Sequence, residues 1–282
     1  MGISGTDFDY IRRLVRERSA IVLEVGKEYL VESRLLPLVR EEGFASLQDM
    51  VSHLRGGPPR PLHRRVVELM TTNETWFFRD FRSFEVLRSS LLPELILKRA
   101  AERRINIWSA ACSSGQEPYT IAMIISEHFP QLASWNVRII ATDLSTEVLA
   151  RARAGRYSQL EVNRGMPAAL LVKYFRKVGN EWHISDAIRR QVEFQELNLV
   201  EAWPVLPLMD LVLLRNVLIY FDVETKKSIL GRVRRLLRPD GYLMLGGAET
   251  TLNIDDAFER TAFDRAGAYQ LRSSKIAAAI RP

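Results

Sequence analysis

The sequence predicts an α/β protein with a doubly wound, mostly parallel sheet, an all-α amino-terminal domain and a small antiparallel β insertion. Three observations support this. The first 70 residues show only helical spacing of apolar residues, whereas strands and helices alternate from about residue 100. The alternation stops between residues 157 and 191, where aromatic and polar residues mix. Alternation of this kind is typical of a sheet covered by helices on both faces.

Four helices are predicted in the amino-terminal domain. Thr6 is expected to cap the first helix, and Pro37 is expected to kink or shorten the second. Ser46 begins a capping-box pattern before the third helix, and the fourth helix runs over about residues 61–70. No convincing strand pattern interrupts these segments, so the domain is predicted to be entirely helical.

Five strands are predicted for the main sheet, and one of them, 211–214, is apolar throughout, as a buried parallel strand is. The predicted strands are 105–108, 137–141, 192–194, 211–214 and 242–245, and the predicted helices between them are 118–129, 146–154 and 224–237. Within the insertion, Gly179 and Asn180 separate two alternating segments, which predicts a tight hairpin turn.

The composition is that of an ordinary globular protein: 282 residues, 47% hydrophobic and 26% charged. Cys112 is the single cysteine, so no intramolecular disulfide can form, which suits a reducing compartment. No apolar run approaches the ~20 residues that span a bilayer. We therefore expect a cytoplasmic protein with no direct membrane insertion. The net charge of +6 favours a polyanionic partner, either nucleic acid, an anionic membrane surface or an acidic protein.

The loop after the first predicted strand indicates which nucleoside-like ligand the sheet can hold. Residues 109–118 contain neither the G-x-G-x-x-G pattern nor a Lys-Ser/Thr phosphate loop. A dinucleotide needs several glycines there for its pyrophosphate, whereas S-adenosylmethionine has no phosphate, so one glycine and small side chains suffice. Glu117 stands where the next helix begins. It either accepts hydrogen bonds from a ligand ammonium group or is a first-turn acid that matches the helix dipole.

Asp143 follows the second predicted strand and has two interpretations. A carboxylate at this place can accept hydrogen bonds from both ribose hydroxyls, as in other nucleoside-binding sheets. The alternative is that Asp143 precedes or caps the next helix, together with Ser145. Its position at the end of a strand favours the ribose role. The two loops together predict a nucleoside site at the carboxyl edge of the sheet.

Five stretches, in order along the chain, resemble the CheR-type chemoreceptor (methyl-accepting chemotaxis protein) glutamate O-methyltransferases. They are Thr71–Thr75 with Phe77–Arg79, Trp108–Tyr119, Asp143–Ser145, Arg215–Phe221 and, more weakly, Leu237–Tyr242. The resemblance covers essentially the whole chain. It implies a Rossmann-like S-adenosylmethionine methyltransferase sheet in residues 101–282, with the β-subdomain insertion at 157–191. It further implies a helical domain in residues 1–72, joined by a linker and connecting helix at 73–100.

The resemblance also implies an activity. The cofactor would be S-adenosyl-L-methionine, with S-adenosyl-L-homocysteine as the product. The reaction would be methylation of glutamate side-chain carboxylates on chemotaxis receptors, which gives methyl esters for sensory adaptation. A glutamate carboxylate is already ionised at neutral pH, with a reference pKa of about 4.3. It can attack the methyl group directly, so the enzyme must supply alignment and partial desolvation.

The residues of the site follow from the same resemblance. The implied cofactor-binding residues are Asn73, Thr75, Arg79, Glu117, Asp143, Asn198, Leu199, Arg215 and Asn216. Glu117 would hold the amino group, Asp143 the ribose, and the segment 198–199 the adenine. Arg79 and Tyr220 would be catalytic and orient the cofactor and the attacking carboxylate, although Tyr220 has a packed aromatic as its alternative. No metal is expected, because the four histidines lack metal-ligand spacing.

Two neighbouring features are interpreted without a catalytic role. Phe77 and Phe78 in the linker are expected to be core residues. Cys112 has no adjacent histidine to activate it as a nucleophile, so it is interpreted as a small residue of the loop.

The expected partners are methyl-accepting chemotaxis receptors, bound at the acidic helices of their cytoplasmic bundle. Arg34 and Arg40 match basic positions of an amino-terminal helix that faces such receptors in the family, but Pro37 and Leu38 stand where other members can carry arginines. Some members grip a receptor's carboxyl-terminal pentapeptide as an added strand, and they carry a longer, glycine-rich hairpin loop. This chain has no room for that loop, so no tethering by a pentapeptide is expected.

Two other functions are considered. A nucleic-acid methyltransferase that modifies amino groups would usually show Asn/Asp-Pro-Pro-aromatic after the fourth strand, where this chain has residues 215–218. That difference argues against a nucleic-acid partner. A receptor-binding or cofactor-sensing scaffold without methylation is the second alternative, and intact Arg79, Asp143 and Tyr220 weigh against it.

Overall fold

The computed structural model describes residues 2–58, 61–263 and 267–272. The chain divides into two compact units. The first comprises Met1–Thr72 and Tyr220–Thr225, and the second comprises Asn73–Ile219 and Lys226–Pro282. In the described ranges, no helix is both long enough and apolar enough to cross a membrane.

Four helices build the first unit: α1 (Gly5–Ser19), α2 (Glu28–Glu41), α3 (Leu47–Arg55) and α4 (Pro61–Met70). Each helix directs an apolar face inward, and Ile11, Leu35, Val51 and Val66 from the four helices are fully buried. Burial of these faces stabilises helices that are too short to persist alone in water. The prediction of a helical amino-terminal region is confirmed.

One local prediction in this unit is wrong. Ser4, not Thr6, caps α1, because the helix begins before Thr6 and the Ser4 hydroxyl accepts the N–H of the third helical residue. Pro37 was expected to kink or shorten α2; the helix continues through it and is not shortened, and a kink stays a prediction. Leu35 and Leu38 are buried on either side of this proline and keep both halves of the helix packed.

Arg34 has a structural partner inside its own unit. Its Nη1 donates to the carbonyl oxygens of Met70 at 2.7 Å and Thr71 at 2.8 Å, and its Nη2 donates to Thr72 Oγ1 at 3.1 Å. A guanidinium at the end of α4 satisfies carbonyls that have no helical partner. Burial lowers the pKa of Arg34 from its ordinary value. Arg40, the other basic position of α2, is exposed.

The chain then forms a series of alternating elements. In order they are α5 (Phe81–Val86), a π-helical turn (Leu87–Leu91), α6 (Leu92–Lys98), β1 (Arg104–Ala110), α7 (Gln116–His128), β2 (Asn136–Asp143), α8 (Thr146–Ala154), β3 (Arg156–Ser158), α9 (Gln159–Asn163), α10 (Ala168–Tyr174), β4 (Phe175–Val178), β5 (Glu181–Ile184), α11 (Asp186–Arg189), β6 (Val192–Glu196), β7 (Met209–Leu214), α12 (Val223–Leu236), β8 (Leu237–Leu245), β9 (Phe258–Arg260) and β10 (Ala268–Leu271).

Within the described residues, the main sheet has seven strands in the order β6-β2-β1-β7-β8-β10-β9. The first five are parallel, and β10 pairs antiparallel with both β8 and β9. The chain moves outward from β1 in one direction through β2 and β6, and in the other through β7 and β8. The strand order therefore reverses beside β1, and the carboxyl ends of β1, β2 and β7 meet at that point. The predicted doubly wound α/β sheet is confirmed.

The insertion is a separate three-stranded antiparallel sheet in the order β3-β5-β4. Its hairpin between β4 and β5 turns on two residues, Gly179 and Asn180, and Gly179 has a φ of 58°. Glycine adopts this left-handed conformation without a Cβ penalty, so the predicted tight turn is confirmed. Trp182 on β5 donates from Nε1 to Gln159 Oε1 at 3.0 Å and packs against the core.

A buried ion cluster lies at the opposite edge of the main sheet, where β7 begins. Arg99 donates from Nε to Asp210 Oδ1 at 2.5 Å and from Nη2 to Asp240 Oδ1 at 2.5 Å. Asp210 is fully buried, and its Oδ2 accepts the Asn106 N–H at 2.8 Å. The hydrogen bonds to Asp240 and then to Asp210 raise the pKa of Arg99, against the lowering effect of burial. This cluster joins β1, β7 and β8 to the end of α6.

Candidate cofactor and active site

The loop from β1 to α7 turns sharply at the carboxyl edge of the sheet. Ala111, Ser113 and Gly115 have φ values of 56°, 50° and 93°. Left-handed backbone at the two non-glycine residues is unusual and needs surrounding contacts to hold it. At Gly115 a Cβ would lie 3.0 Å from Ala152 Cβ and 3.2 Å from Tyr119 Cε2. The glycine therefore allows the loop to pack closely against α8.

Asp143 fixes this loop to the end of β2. Its side chain accepts the Ser113 N–H at 2.8 Å and the Ser145 N–H at 2.9 Å, and the residue is only 6% exposed. The cap of α8 is Ser145, whose hydroxyl accepts the Val148 N–H. Asp143 is therefore not the helix cap itself. Its carboxylate lies at the edge of the sheet where a nucleoside binds in related architectures.

Glu117 and Arg215 form a buried ion pair across the strand ends. Arg215 Nη1 donates to Glu117 Oε2 at 2.8 Å, and Ser109 Oγ donates to Glu117 Oε1 at 2.8 Å. Arg215 Nη2 also donates to Asp80 Oδ2 at 2.9 Å and to the Arg79 carbonyl oxygen at 2.8 Å. The Arg215 side chain is 1% exposed. A buried guanidinium whose two terminal nitrogens are both engaged holds its surroundings in one geometry.

The charges of this cluster suit a cationic ligand group. One guanidinium, Arg215, faces two carboxylates, Asp80 and Glu117, so the three groups together carry an excess negative charge. An ammonium group beside Glu117, whose side chain is 14% exposed, would offset that excess. Residues 110–114 are small, and their sequence is not one of the glycine-rich motifs that bind phosphate. The residues present therefore fit S-adenosylmethionine, which has an ammonium group and no phosphate.

The segment 73–80 is held against the same loop. Ser113 Oγ donates to the Asn73 carbonyl oxygen at 2.9 Å, and Thr120 Oγ1 accepts the Phe78 N–H at 3.2 Å. Thr75 is half-buried between these anchors along the chain. The guanidinium of Arg79 donates to the Glu74 carbonyl oxygen at 2.5 Å, within its own segment. Asn73, Thr75 and Arg79 thus belong to one segment that is fastened to the β1–α7 loop.

The ring of Trp76 makes cation–π contacts with the guanidinium groups of two arginines. The guanidinium carbon of Arg79 lies 4.5 Å from the ring centroid, and that of Arg164 lies 3.8 Å from it. Arg164 also pairs with Glu74 at 2.8 Å, and this hydrogen bond lowers the pKa of Glu74. Cation–π contact of this kind restricts the Arg79 side chain. Arg164 comes from the insertion and was not recognised in the sequence.

Aromatic packing links the insertion to the loop. Phe77 and Phe78 are 0% and 8% exposed, so their assignment to the core is confirmed. The Phe77 ring meets Tyr157 at 5.0 Å and Phe175 at 5.6 Å between centroids, both edge to face. The Tyr157 hydroxyl donates to the Ser114 carbonyl oxygen at 2.8 Å. The insertion therefore stabilises the β1–α7 loop through Tyr157, which contacts both Phe77 and the loop backbone.

The loop after β6 is joined to Asp143. The Asp143 carbonyl oxygen accepts the Leu197 N–H at 3.0 Å, directly before the predicted adenine segment. Asn198 Oδ1 accepts the Val200 N–H at 3.2 Å, and Leu199 is buried. This places Asn198 and Leu199 next to the strand end that carries Asp143.

Asn216 follows Arg215 in a left-handed conformation with a φ of 59°. Its backbone N–H donates to Glu249 Oε2 at 2.7 Å. Glu249 was not recognised in the sequence. It belongs to no motif, and the one sequence feature that could have indicated it is its position as an acidic residue shortly after a predicted strand.

Tyr220 belongs to the first compact unit, where its carbonyl oxygen accepts the Val22 N–H at 3.0 Å. Its catalytic role stays a prediction.

Cys112 is buried, and burial raises the pKa of its thiol well above the ordinary value, with Asp143 and Glu117 adding to the effect. A protonated, inaccessible thiol is a poor nucleophile. Among the described residues, no group of histidine, cysteine, aspartate and glutamate side chains could hold a metal ion.

Both parts of the chain match known domains. Residues 73–266 match the family described as CheR methyltransferase, SAM binding domain, and residues 6–71 match the CheR methyltransferase all-alpha domain. The chain belongs to the CheR methyltransferase family. The resemblance inferred from the motifs is thereby confirmed, as is S-adenosylmethionine as the cofactor.

Individual relatives agree with the family. The chain is 44% identical over 267 residues to chemotaxis protein methyltransferase 1 of Pseudomonas aeruginosa, which covers 92% of this chain and 95% of the relative. It is 40% identical over 264 residues to chemotaxis protein methyltransferase Cher2 of Pseudomonas putida, with coverage of 92% and 95%. It is 39% identical to the chemotaxis protein methyltransferase of Vibrio parahaemolyticus, over 96% of this chain and 98% of the relative. These relatives do not favour the scaffold or nucleic-acid alternatives.

Proposed function

We propose that this CheR family member methylates glutamate side-chain carboxylates of methyl-accepting chemotaxis receptors and forms glutamate methyl esters. The observation that carries the proposal is the Asp80–Arg215–Glu117 cluster, whose excess negative charge suits the ammonium group of S-adenosylmethionine. The names of the relatives, which are chemotaxis protein methyltransferases, support a receptor as the substrate. The receptor glutamates lie in a cytoplasmic helical bundle, so we place the enzyme in the cytoplasm.

The cofactor would be held by residues from five segments: the linker, the end of β2, and the segments that follow β1, β6 and β7. In this proposal Glu117 receives the ammonium group and Asp143 the ribose hydroxyls, while residues 198–199 flank the adenine. The complete set is Asn73, Thr75, Arg79, Glu117, Asp143, Asn198, Leu199, Arg215 and Asn216. The two terminal nitrogens of Arg215, Nη1 and Nη2, are engaged by protein partners, so its contribution is to hold Glu117 and the Arg79 backbone in place.

When bound, S-adenosylmethionine supplies an electrophilic methyl group on its sulfonium. The receptor carboxylate is ionised at neutral pH, with a reference pKa of about 4.3, so this chain needs no general base. Its residues must instead align the carboxylate and remove part of its water. Arg79 and Tyr220 are the side chains assigned to that orientation. The Trp76 contact would hold the Arg79 guanidinium ready for it.

In this proposal the three parts of the chain have different roles. Residues 1–72 would approach the acidic receptor helices, residues 73–100 would connect, and residues 101–282 would carry out methyl transfer. The net charge of +6 favours such an acidic partner. Of the two basic positions in α2, Arg40 is exposed whereas Arg34 is bound to the end of α4. Arg40 is therefore the better candidate for direct contact.

The proposal is tested by incubating the protein with receptor-rich membranes and S-adenosylmethionine labelled in its methyl group. We expect label in the receptor band that is released as methanol by mild base, because methyl esters are base-labile. Label that resists base, or label transferred to added RNA instead, would contradict glutamate esterification. An Asp143→Ala variant gives the background of the assay.

Tyr220→Phe is expected to lower kcat by about tenfold or more, because one hydrogen bond to a charged group is lost. The dissociation constant of S-adenosylhomocysteine should change much less. Steady-state kinetics and calorimetric titration separate the two effects. Unchanged turnover would return Tyr220 to the role of a packed aromatic.

Removal of the last few residues of the receptor is expected to leave its methylation rate within about twofold of the rate with the intact receptor. The reason is that no tethering peptide raises the effective concentration of the enzyme at the methylation sites. The support is the two-residue turn at Gly179 and Asn180, which lacks the longer loop of tethering members. The comparison uses one receptor with and without its tail, and titration of the isolated tail peptide. A large rate loss, or micromolar binding of the peptide, would overturn it.

Binding without a tether should depend on charge. Raising the ionic strength from about 0.01 M to 0.15 M shortens the Debye length from about 30 Å to 8 Å, so the methylation rate should fall. Arg40→Gln should weaken the dependence of the methylation rate on ionic strength. Arg138→Gln, which removes an exposed charge that pairs with Glu193 on the main sheet, is the matched control and should leave the slope unchanged.

A further inference from the structure

Four backbone N–H groups converge on the carboxylate of Glu249. Its Oε1 accepts from Val217 at 2.9 Å and Leu218 at 2.7 Å, and its Oε2 accepts from Asn216 at 2.7 Å and Gly246 at 2.7 Å. A carboxylate has about four lone-pair sites, so these donors match its capacity. Glu249 is only 9% exposed, and hydrogen bonds to an ionised acceptor are about twice as strong as neutral ones.

The donors come from two different loops. Residues 216–218 follow β7, and Gly246 follows β8, which pairs in parallel with β7 up to Leu214 and Leu245. Three successive N–H groups that point to one side form a concave anion site, and this one is filled by the chain's own side chain. Glu249 therefore fastens the carboxyl ends of two neighbouring strands to each other.

The backbone at this place is tightly packed. Asn216 has a φ of 59°, a left-handed conformation that asparagine adopts more readily than most other L residues. A Cβ at Gly246 would lie 2.6 Å from Asn216 Nδ2 and 2.7 Å from Glu249 Oε2. The two loops thus approach each other as closely as a glycine allows. Without the carboxylate, the three N–H groups of residues 216–218 would lose the acceptor that holds this conformation.

The loop that Glu249 holds is the loop of the cofactor site. Arg215, which immediately precedes Asn216, binds Glu117, Asp80 and the Arg79 carbonyl oxygen. A change in the backbone at residue 216 therefore moves the guanidinium that places Glu117. Such a displacement matters because methyl transfer depends on alignment of the reacting groups.

We infer that Glu249 is a positioning residue for methyl transfer, which acts by fixing the backbone of residues 215–218 so that Arg215 and Asn216 keep the geometry of the S-adenosylmethionine site. The inference rests on the proposed assignment of Arg215 and Asn216 to that site. Glu249 itself touches neither cofactor nor substrate in this role. Its negative charge and its length both matter, because one carboxylate must reach two loops.

The test compares Glu249→Gln, Glu249→Asp and the exposed control Glu259→Gln on β9. In Glu249→Gln an amide NH₂ replaces one acceptor oxygen and faces two N–H groups, so the dissociation constant of S-adenosylhomocysteine should rise about tenfold or more. Amide exchange in residues 216–218 should accelerate by about tenfold or more, measured by mass spectrometry of that peptide. Glu249→Asp keeps the charge but is shorter, so an intermediate change is expected. Glu259→Gln should match the wild type.

A solely structural role gives a different result. If Glu249→Gln lowers the melting temperature while the dissociation constant and kcat stay at wild-type values, the inference is overturned. It is also overturned if exchange in residues 216–218 does not change. Failure of the receptor proposal is recognised separately, because the wild type would then bind S-adenosylhomocysteine normally but leave receptors unmethylated. Binding that responds to Glu249→Gln would in that case still support the positioning role.

Discussion

Replacing Asp143 with alanine is expected to abolish measurable binding of S-adenosylmethionine in a protein that remains folded. Two hydrogen bonds from ribose hydroxyls to a carboxylate would be lost, at ~1.5–3 kcal/mol each, which weakens binding by about 100-fold or more. The Ser113 and Ser145 N–H groups also lose their acceptor, so the β1–α7 loop loses support at the same time. Calorimetric titration measures the affinity, and circular dichroism establishes that the variant is folded.

A pair of ligands separates direct contact with the ribose from support of the loop. The wild type should bind S-adenosylhomocysteine about tenfold or more tightly than its 2′-deoxy analogue, because one hydroxyl bond to Asp143 is missing in the analogue. Asp143→Asn should discriminate less between the two ligands. Glu193→Gln changes an exposed carboxylate on the neighbouring strand β6 and should behave as the wild type. Near-native affinity in a folded Asp143→Ala protein would reject the ribose assignment.

The sheet and the insertion could be predicted because their signals are local. The apolar run 211–214 and the alternation around Gly179 and Asn180 are visible in a few adjacent residues, and each corresponds to an element of the structure. The positions of Asp143 and Glu117 at the carboxyl edge of the sheet could be predicted, because parallel strands bring their carboxyl ends to one edge, whereas their roles toward a ligand stay predictions.

The remaining features depend on contacts between distant residues. The motifs predict Arg215 as a site residue, but they do not reveal its ion pairs with Glu117 and Asp80, which lie 98 and 135 positions away in the chain. Glu249 is separated from Asn216 by 33 residues and belongs to no motif, so nothing local indicates that it accepts four N–H groups. The cap of α1 was misplaced by two residues, because Ser4 and Thr6 both have hydroxyls and only the helix start distinguishes them.

The two edges of the main sheet hold their charges differently. At the carboxyl edge, two carboxylates face the single guanidinium of Arg215, and the excess negative charge suits a cationic ligand. At the amino edge, Arg99 meets Asp210 and Asp240, and Arg238 pairs with Glu102 and lies 3.5 Å from Asp210. Both cations of this cluster are thus paired with its own carboxylates, at the edge of the sheet away from the predicted nucleoside site. We therefore expect removal of this cluster to affect stability rather than binding.

Replacing Asp210 with alanine is expected to reduce the free energy of unfolding by about 3–5 kcal/mol, because the fully buried partner of an ion pair is removed and two buried donors, Arg99 Nε and the Asn106 N–H, lose their acceptor. Arg99 would keep only Asp240, whose side chain is 44% exposed, and the Asn106 N–H would lose its acceptor. Urea denaturation measures the loss. Glu193→Ala, which breaks an exposed pair with Arg138, is the control and should cost about 0–1 kcal/mol.

A second substitution tests the cause of that loss. Arg99→Met in the Asp210→Ala protein should recover part of the stability, because it removes the buried Nε–H that has lost its acceptor, and the double-mutant cycle measures the coupling between the two residues. Asp210 lies five residues before Arg215 on β7, roughly 16 Å along the strand, so the folded variant should bind S-adenosylhomocysteine with nearly wild-type affinity. A cost no larger than that of Glu193→Ala would show that water replaces the carboxylate. A weakened affinity at full folding would instead show that the amino edge of the sheet determines the geometry of the carboxyl edge.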